Sequence, residues 1–246
     1  MKFVKMEGLG NDFVLVGPEV VVDRDLVRAV CDRRRGVGAD GLLQVSPSDG
    51  VIVMGYWNAD GSVAEMCGNG LRCVTRYAFD HGLTRDKDFD VVTPAGGRRV
   101  TVSDRPRVET GPISVALPFV FEGRDFIPVQ VGNPHAVTMV GDVGSADVAG
   151  IGGRLEASTS QGVNVEFVRV NDRSHLTMRV WERGVGETLA CGSGMVAAVA
   201  AAHHLGLVGD IVTVEVPGGE GEVSLADGTS WLTGPARYIF SGETYL

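Results

Sequence analysis

Two short segments decide the fold of this chain: 66–70, which reads MCGNG, and 190–194, which reads ACGSG. They lie about half a chain length apart, and each precedes a stretch with helical character. Unpaired backbone N–H groups and the helix dipole stabilise negative charge at a helix start, so a cysteine there can be held as a thiolate. The pattern therefore predicts two thiols that serve one substrate as acid and base.

The two segments belong to a longer internal repeat. When the halves are compared at an offset of about half the chain, further segments match in the same order. The matched pairs are Gly10-Asn11 with Gly132-Asn133, Gly41 with Asn164, Trp57-Asn58 with Trp181-Glu182, and Pro94–Gly97 with Pro217–Gly219. This order predicts a duplicated domain.

Each half reads as short alternating strands, one early crossover helix and a second helix after its cysteine. We expect helices at about 23–34, 71–80 and 195–205, the last two ending before Gly82 and Gly206. The predicted fold class is α/β, of the α+β type. It has two pseudo-symmetric domains, each a strand-rich, barrel-like sheet around a central helix, with the active site in the cleft between them. The expected boundaries are 1–115, completed by a C-terminal strand at 239–246, and 116–238.

Composition narrows the range of partners. The formal net charge is -9, and the nearest basic cluster is Arg33–Arg35, which argues against nucleic acid as a partner. The longest apolar run, Met195–Ala202, is far shorter than the ~20 residues that span a bilayer, and the start of the chain lacks a signal-peptide run. We therefore expect a cytoplasmic protein with no membrane partner.

The cysteine spacing argues against metal binding. None of the four cysteines forms a Cys-x-x-Cys pair, and in a reducing cytosol they are expected as thiols, with no metal site. Cys31 and Cys73 lack the glycine-rich frame and are predicted to be structural.

In six segments taken together, the whole chain resembles the diaminopimelate epimerase family. These segments are Gly8–Phe13, Gly36–Gly41, Asn58–Cys73, Gly132–His135, Gly162–Asn164 and Trp181–Gly194. The resemblance implies a pyridoxal-independent isomerase with no cofactor, a homodimer, and a small-molecule substrate. The implied reaction converts LL-2,6-diaminopimelate to the meso form, a step in lysine and cell-wall precursor synthesis.

The chemistry assigns roles to these residues. Inverting an α-carbon requires removal of a proton from one face and delivery of another to the opposite face, so Cys67 and Cys191 are predicted as the acid/base pair. A helix start is expected to lower the thiol pKa from its reference value of about 8.5. Donors aimed at the reacting carboxylate stabilise the carbanion, and the turns Gly68-Asn69 and Gly192-Ser193 can supply them.

The far end of the substrate needs its own contacts. Arg183 can bind the distal carboxylate and Glu182 the distal ammonium. Four asparagines can fill the remaining hydrogen-bonding positions: Asn11, Asn58, Asn133 and Asn164. The resemblance assigns these residues to substrate binding and implies a supporting role for His135. Gly41 stands where some family members have a substrate-contacting glutamine, so that role is not transferred.

Two alternatives stay open from the sequence. A proline or hydroxyproline racemase would use the same two-cysteine chemistry, but its substrate lacks the second amino-acid head group that Glu182 and Arg183 would bind. A non-catalytic binding protein or redox sensor of the same fold would instead join Cys67 and Cys191 in a reversible disulfide.

Overall fold

The order of secondary-structure elements repeats once along the chain. The computed structural model describes residues 1–64, 66–226 and 228–246. The first run is β1 (Lys2–Gly8), β2 (Asn11–Val16), α1 (Arg24–Cys31), β3 (Gly41–Ser48), β4 (Val51–Asn58), α2 (Gly68–Asp80), β5 (Asp88–Thr93), β6 (Gly96–Thr101) and β7 (Arg107–Gly111).

The second run follows the same plan with extra short strands. Its elements are β8 (Ser114–Val115), β9 (Phe119–Phe121), β10 (Arg124–Gln130), β11 (Pro134–Met139), α3 (Val148–Ser158), β12 (Asn164–Asp172), β13 (His175–Glu182), β14 (Gly186–Thr188), α4 (Gly192–His204), β15 (Ile211–Val216), β16 (Gly219–Ala226) and β17 (Thr229–Thr233). The chain then forms β18 (Arg237–Glu243), which pairs antiparallel with β1.

The chain divides into two compact units. Unit 1 comprises Met1–Val108 and Gly234–Leu246, and unit 2 comprises Glu109–Thr233. The boundaries predicted from the sequence, after residues 115 and 238, lie somewhat further along the chain and stay predictions. The mixed α/β class is confirmed, because strands dominate each unit and few helices accompany them.

Strand pairing repeats between the units as well. In unit 1, β2 runs parallel to β3, and β3 pairs antiparallel with β4 so that Leu42 lies opposite Trp57. In unit 2, β11 runs parallel to β12, and β12 pairs antiparallel with β13 so that Val165 lies opposite Trp181. Parallel pairs β4–β5 and β13–β15 then lead into the hairpins β5–β6 and β15–β16. The duplication inferred from the sequence is thus present in the sheet register.

One helix in each unit is buried along most of its length. In α4 every residue from Met195 to Ala202 is buried, and the helix packs on β10–β13 and β15–β17. A helix that is apolar on all sides is stable only when other elements surround it. Helix α2 packs on β1–β4 and is buried through Thr75.

The remaining two helices pack on strands of their own unit. Helix α1 packs on β3, and α3 packs on β12, β13 and β14. Helix α1 buries Val27 and Val30 in a cluster that Trp57 joins, and α3 buries Ile151 and Leu155 in a cluster that Trp181 joins. The matched tryptophans therefore have matched packing roles. Each lies one residue before the end of its strand, Trp57 in β4 and Trp181 in β13.

Helix boundaries differ from the sequence prediction in two ways. Helix α1 ends at Cys31 rather than Arg34, because Asp32 leaves the helical conformation and its carboxylate accepts from the N–H groups of Arg34 and Arg35. Helices α2 and α4 begin earlier than predicted, directly after their cysteines, and are followed by Gly82 and Gly206 in the left-handed conformation. In the described parts of the chain, no helix is long and apolar enough to cross a membrane.

Candidate active site

Cys67 and Cys191 occupy the same position in the two units. Each is the N-cap of the central helix, in an extended backbone conformation, with its Sγ 3.4 Å from the N–H of the third helical residue, Gly70 or Gly194. The first N–H groups of a helix have no partner inside it, so the sulfur satisfies one of them. The same contact favours the negatively charged sulfur, as the sequence pattern predicts.

The glycine at the third helical position is where the two turns diverge. A Cβ on Gly70 would lie 3.3 Å from a methyl group of Leu43, whereas a Cβ on Gly194 would lie 2.8 Å from Oε1 of Glu166 and 3.3 Å from Cys191 Sγ. Only glycine lets the helix start approach these groups so closely. An apolar side chain lies against the first turn, and a carboxylate lies against the second.

In unit 1, Asn11 links the start of β2 to the cysteine turn. Its Oδ1 lies 3.6 Å from Cys67 Sγ and accepts a hydrogen bond of 3.3 Å from Asn69 Nδ2. Its Nδ2 donates to Oδ2 of Asp40 over 2.7 Å, which orients the amide. Three of the predicted residues, Asn11, Asn69 and Cys67, are thus brought together.

An ion cluster holds this corner of unit 1. Asp12 accepts from the buried Lys5 amino group at 2.7 Å and from both terminal nitrogens of Arg33. Arg33 also pairs with Asp40, the carboxylate that orients Asn11. Burial alone would raise the pKa of Asp12, but the hydrogen bonds and charges of Arg33 and Lys5 hold it well below its usual range.

A buried arginine lies directly beside the Cys67 turn. Arg72 has no exposed surface, and its guanidinium donates to Asn69 Oδ1 over 3.0 Å and to the carbonyl oxygen of Gly68 over 3.4 Å. Burial lowers the pKa of Arg72 to about 10, against the attraction of Cys73 and Cys67. The side chain is therefore still a cation at neutral pH.

Asn58 lies at the end of β4, in a turn of its own. Its Nδ2 donates to the hydroxyl of Ser62 over 3.0 Å, and Ser62 is in turn held by Asp60. In the sheet register, Asn58 lies opposite Gly41. Because glycine has no side chain, Asn58 supplies the polar side chain of the cross-strand pair Gly41–Asn58.

In unit 2, the electrostatic environment of Cys191 contradicts the predicted lowering of its pKa. Burial, followed by the charges of Glu182 and Glu166, raises the pKa of Cys191 well above its ordinary value. Hydrogen bonds from the Ser193 hydroxyl and the Gly194 N–H act in the opposite direction but do not outweigh them. At neutral pH Cys191 is a thiol.

A buried histidine and glutamate lie behind this turn. His135 Nδ1 lies 2.6 Å from Glu166 Oε1, and both side chains are fully buried. The other ring nitrogen of His135, Nε2, lies 2.9 Å from Oδ1 of Asn133. Burial raises the pKa of Glu166, and the charge and hydrogen bond of His135 lower it in part. His135 therefore supports Asn133 on one side and Glu166 on the other.

Asn164 ties the remaining predicted residues of unit 2 together. Its Nδ2 donates to the carbonyl oxygen of Pro134 over 3.1 Å, and its Oδ1 accepts from the Arg183 N–H over 2.9 Å. The guanidinium of Arg183 donates to the carbonyl oxygen of Gln161. A side chain at Gly162 would collide with Arg183, whose Cγ and Cδ would lie 2.7 Å from its Cβ.

Glu182, at the end of β13, is a mostly buried carboxylate. The Thr188 hydroxyl donates to its Oε1. Burial raises the pKa of Glu182, while hydrogen bonds from Thr188 and from the Cys191 thiol lower it. A carboxylate in this setting can bind an ammonium group, and it also lies beside the second thiol.

Sequence reasoning missed several residues that hold these groups. Glu166 was a detectable one, because it is a carboxylate in the otherwise apolar stretch Val165–Val168. Arg72 and Asp40 fall inside the segments that carry the family resemblance but were given no role. Nothing in the spacing indicates Glu156, which accepts from Trp181 Nε1 and from the Gly184 N–H and so fixes the turn that carries Arg183.

The other cysteines are buried thiols. Burial raises the pKa of Cys31 to about 11 and that of Cys73 to about 12, so both are poor nucleophiles near neutral pH. This fits their predicted structural role. Within residues 1–64, 66–226 and 228–246, no cluster of three or more histidine, cysteine, aspartate or glutamate side chains is arranged to hold a metal ion.

Comparison with known sequences gives one consistent result. A family model described as "Diaminopimelate epimerase" matches residues 3–116 and 127–239. A diaminopimelate epimerase of Acinetobacter baumannii (strain AYE) is 38% identical over 274 aligned positions, covering 100% of this chain and 98% of that protein. One from Desulfitobacterium hafniense is 40% identical, covering 98% of this chain and 97% of that protein.

Comparison with solved structures supports the fold. A probable proline racemase from Agrobacterium radiobacter K84 has a TM-score of 0.78 at 17% identity, covering 100% of this chain and 93% of that chain. A hydroxyproline epimerase from Agrobacterium vitis, solved with trans-4-hydroxy-L-proline, has a TM-score of 0.78 at 16% identity, covering 98% and 91%. At such identities the likeness is one of architecture.

Proposed function

Because the chain belongs to the diaminopimelate epimerase family, we propose that it interconverts LL- and meso-2,6-diaminopimelate by moving protons between its own thiols and one α-carbon. The observation that carries the proposal is the matched pair of cysteine N-caps, Cys67 and Cys191, on the two central helices. The reaction is an isomerisation, so no atom is gained or lost overall.

Cys67 and Cys191 are the acid/base pair of this mechanism. One thiolate removes the α-proton, and the other thiol delivers a proton to the opposite face of the resulting carbanion. After one turnover the two sulfurs have exchanged protonation states. Proton exchange with solvent restores them before another turnover in the same direction, and the reverse reaction restores them directly. The raised pKa of Cys191 supports its role as the proton donor in the first half of the cycle.

The helix starts stabilise the negative charge that develops during the reaction. As the proton leaves, charge spreads onto the neighbouring carboxylate, and N–H donors at Gly68-Asn69 and Gly192-Ser193 bind its oxygens. Donors placed where charge develops lower the barrier more than they strengthen substrate binding. This use of backbone N–H groups is consistent with the glycines in both turns.

The distal amino-acid group of the substrate is bound by polar residues that differ between the two units. Arg183 offers a forked guanidinium for the distal carboxylate, and Glu182 offers a carboxylate for the distal ammonium. Asparagine side chains complete the contacts, through Asn11, Asn58, Asn133 and Asn164. Such unequal contacts distinguish the carbon to be inverted from the one that is kept.

Deuterium exchange tests the function. The protein is incubated with LL-diaminopimelate in D₂O under reducing conditions, and loss of the α-proton signal is followed by NMR. Wild type is expected to exchange the α-proton and form the meso isomer. Cys67→Ser and Cys191→Ser should each lose at least about a hundredfold in rate, within the range of acid/base catalysis.

A third cysteine variant serves as the matched control. Cys31→Ala removes a buried thiol outside the two turns and should keep most of the activity. Exchange of proline rather than diaminopimelate would reassign the chain to the racemase alternative. Undiminished exchange in both serine variants would refute the thiol mechanism.

We also propose that the chain works as a homodimer in the cytoplasm and needs no pyridoxal phosphate. The family resemblance supports these points, and the two thiols provide the acid and the base without an electron-sink cofactor. Light scattering coupled to gel filtration would give the mass in solution. A monomer mass in an active preparation would refute the homodimer.

A further inference from the structure

Glu166 is a buried carboxylate that the mechanism above does not use. It lies in β12 with no exposed surface, and Oε1 is 2.6 Å from His135 Nδ1. Its Oε2 is buried without a hydrogen-bond partner among the described residues. A buried carboxylate costs free energy unless something offsets its desolvation, so its position calls for a physical reason.

The carboxylate lies against the first turn of α4, on the same glycine as the catalytic sulfur. The Cβ position of Gly194 is 2.8 Å from Glu166 Oε1 and 3.3 Å from Cys191 Sγ. In unit 1 the corresponding contact to Gly70 is made by the methyl groups of Leu43. A leucine would therefore satisfy the packing at this position, whereas the glutamate adds an ionisable group.

The groups that face Cys191 come from three elements. Glu182 from β13 and Glu166 from β12 are acidic, while Ser193 and the Gly194 N–H come from α4. His135 from β11 lies on the far side of Glu166, and its hydrogen bond favours the ionised carboxylate. Burial raises the pKa of Glu166 against that hydrogen bond, and wherever the two carboxylates are ionised their charges oppose ionisation of the thiol.

The two carboxylates differ in what the substrate does to them. In the proposed function, Glu182 binds the distal ammonium, which offsets its charge once substrate is present. Glu166 is fully buried, with His135 Nδ1 2.6 Å from Oε1 and the Cβ position of Gly194 2.8 Å away, so the proposed substrate contacts do not pair with it. Only Glu166 can act on Cys191 equally in the empty and the occupied protein.

We propose that Glu166 is a positioning residue that keeps the Cys191 thiol protonated, so that Cys191 begins the reaction as the acid and Cys67 begins it as the base. This inference rests on the proposed function for the roles of the two sulfurs and deepens it by assigning their starting states. Glu166 acts through Cys191 and contacts no reacting atom.

The test measures thiol reactivity without substrate. Wild type, Glu166→Gln and Glu166→Asp are treated with iodoacetamide across about pH 6 to 10, and alkylation of each cysteine is quantified by peptide mass spectrometry. At about pH 7, Glu166→Gln should alkylate Cys191 about tenfold faster, equivalent to one pKa unit. Cys67 in the same sample should be unchanged, and Glu166→Asp, which keeps the charge, should stay near wild type.

Matched controls separate this effect from loss of structure. Asp172→Asn makes the same chemical change in an exposed carboxylate–histidine pair of the same unit, with His175, and should shift no cysteine. Alkylation of the buried Cys31 or Cys73 would reveal unfolding. If Glu166→Gln unfolds, Glu166→Leu takes its place, because it removes the charge and makes the contact that Leu43 makes in unit 1.

The proposal is overturned if Cys191 has the same profile in wild type and a folded Glu166→Gln, or if wild-type Cys191 reacts as fast as Cys67 at about pH 7. Deuterium exchange with diaminopimelate is measured on the same preparations. Exchange in wild type together with an unchanged Cys191 profile refutes this inference and leaves the proposed function intact. Absence of exchange with a shifted Cys191 profile refutes the proposed function and the starting roles of the two sulfurs, and leaves only the effect of Glu166 on the Cys191 thiol.

Discussion

The two cysteine turns share a backbone and differ in the charges that surround them. Beside Cys67 lies the buried cation Arg72, and the apolar Leu43 packs on Gly70. Beside Cys191 lie the carboxylates Glu166 and Glu182. Cys67 and Cys191 thus hold the same N-cap position, with a buried guanidinium beside the first and two carboxylates beside the second.

The supports behind the turns differ in the same way. Unit 1 fixes Asn11 through the ion cluster of Lys5, Asp12, Arg33 and Asp40, whereas unit 2 fixes Asn133 through the buried pair of His135 and Glu166. A two-base reaction needs one acid and one base at the start of each turnover, and these unequal supports give the two turns different electrostatic surroundings.

The largest expected effect concerns the ion cluster of unit 1. Asp12→Asn leaves the buried Lys5 without its carboxylate and should lower the free energy of unfolding by about 3 kcal/mol. Because the folded-state pKa of Asp12 lies below its unfolded value, the stabilisation is complete above about pH 4 and is lost as the pH falls further.

Urea unfolding at several pH values would measure this effect. The difference between wild type and Asp12→Asn should shrink as the pH is lowered from about 5 to about 2. The exposed control Asp172→Asn should leave the free energy of unfolding close to that of wild type at neutral pH. Equal effects of the two substitutions would contradict a structural role for the cluster.

Next in size is a paired test of the two glycines. Gly194→Ala places a methyl group 2.8 Å from Glu166 Oε1 and against Cys191, and should lower kcat/KM about a hundredfold. Gly70→Ala meets only methyl groups, those of Leu43 at 3.3 and 3.4 Å and that of Met54 at 3.5 Å, and should lower kcat/KM by less than about tenfold.

Steady-state kinetics on both alanine variants decide the glycine test, with circular dichroism as a check on folding. Similar losses in the two would mean that the carboxylate on the second turn has no special effect.

A smaller effect is expected from the cation beside Cys67. Arg72→Met removes a buried charge that stabilises the thiolate, and should slow Cys67 alkylation about tenfold at about pH 7. Arg76→Met, one turn later on α2, removes an exposed arginine paired with Asp80 and should have no such effect. Peptide mass spectrometry compares the two variants in parallel. An equal change in both variants, or no change in Arg72→Met, would show that Arg72 does not stabilise the Cys67 thiolate.

Much of the fold could be predicted because the internal duplication is detectable as matched segments of the sequence. The matched tryptophans, Trp57 and Trp181, lie at matched register positions, and the apolar run Met195–Ala202 is the centre of a buried helix. Glycines after α2 and α4 marked their ends correctly. The ends of α1 were less predictable, because the Asp32 side chain competes for the backbone N–H groups.

The pKa of Cys191 could not be predicted from its local segment. A helix start lowers a thiol pKa, and this is the only one of the opposing effects that the motif ACGSG shows. The effect that raises this pKa comes in part from Glu166 and Glu182, which lie on the strands β12 and β13 and are brought near the sulfur by the tertiary structure. Local sequence thus predicted the position of the thiol, and tertiary structure determined its protonation.

The most direct test of the two-thiol account is the isotopic pattern of the first product. In D₂O, early samples from LL-diaminopimelate should contain meso product with deuterium at the inverted α-carbon, while unreacted LL substrate keeps its α-protons. This follows because the removed proton stays on one sulfur and the delivered deuteron comes from the other. Early meso product that retains the original proton would show that a single group both removes and returns it, which would contradict the account.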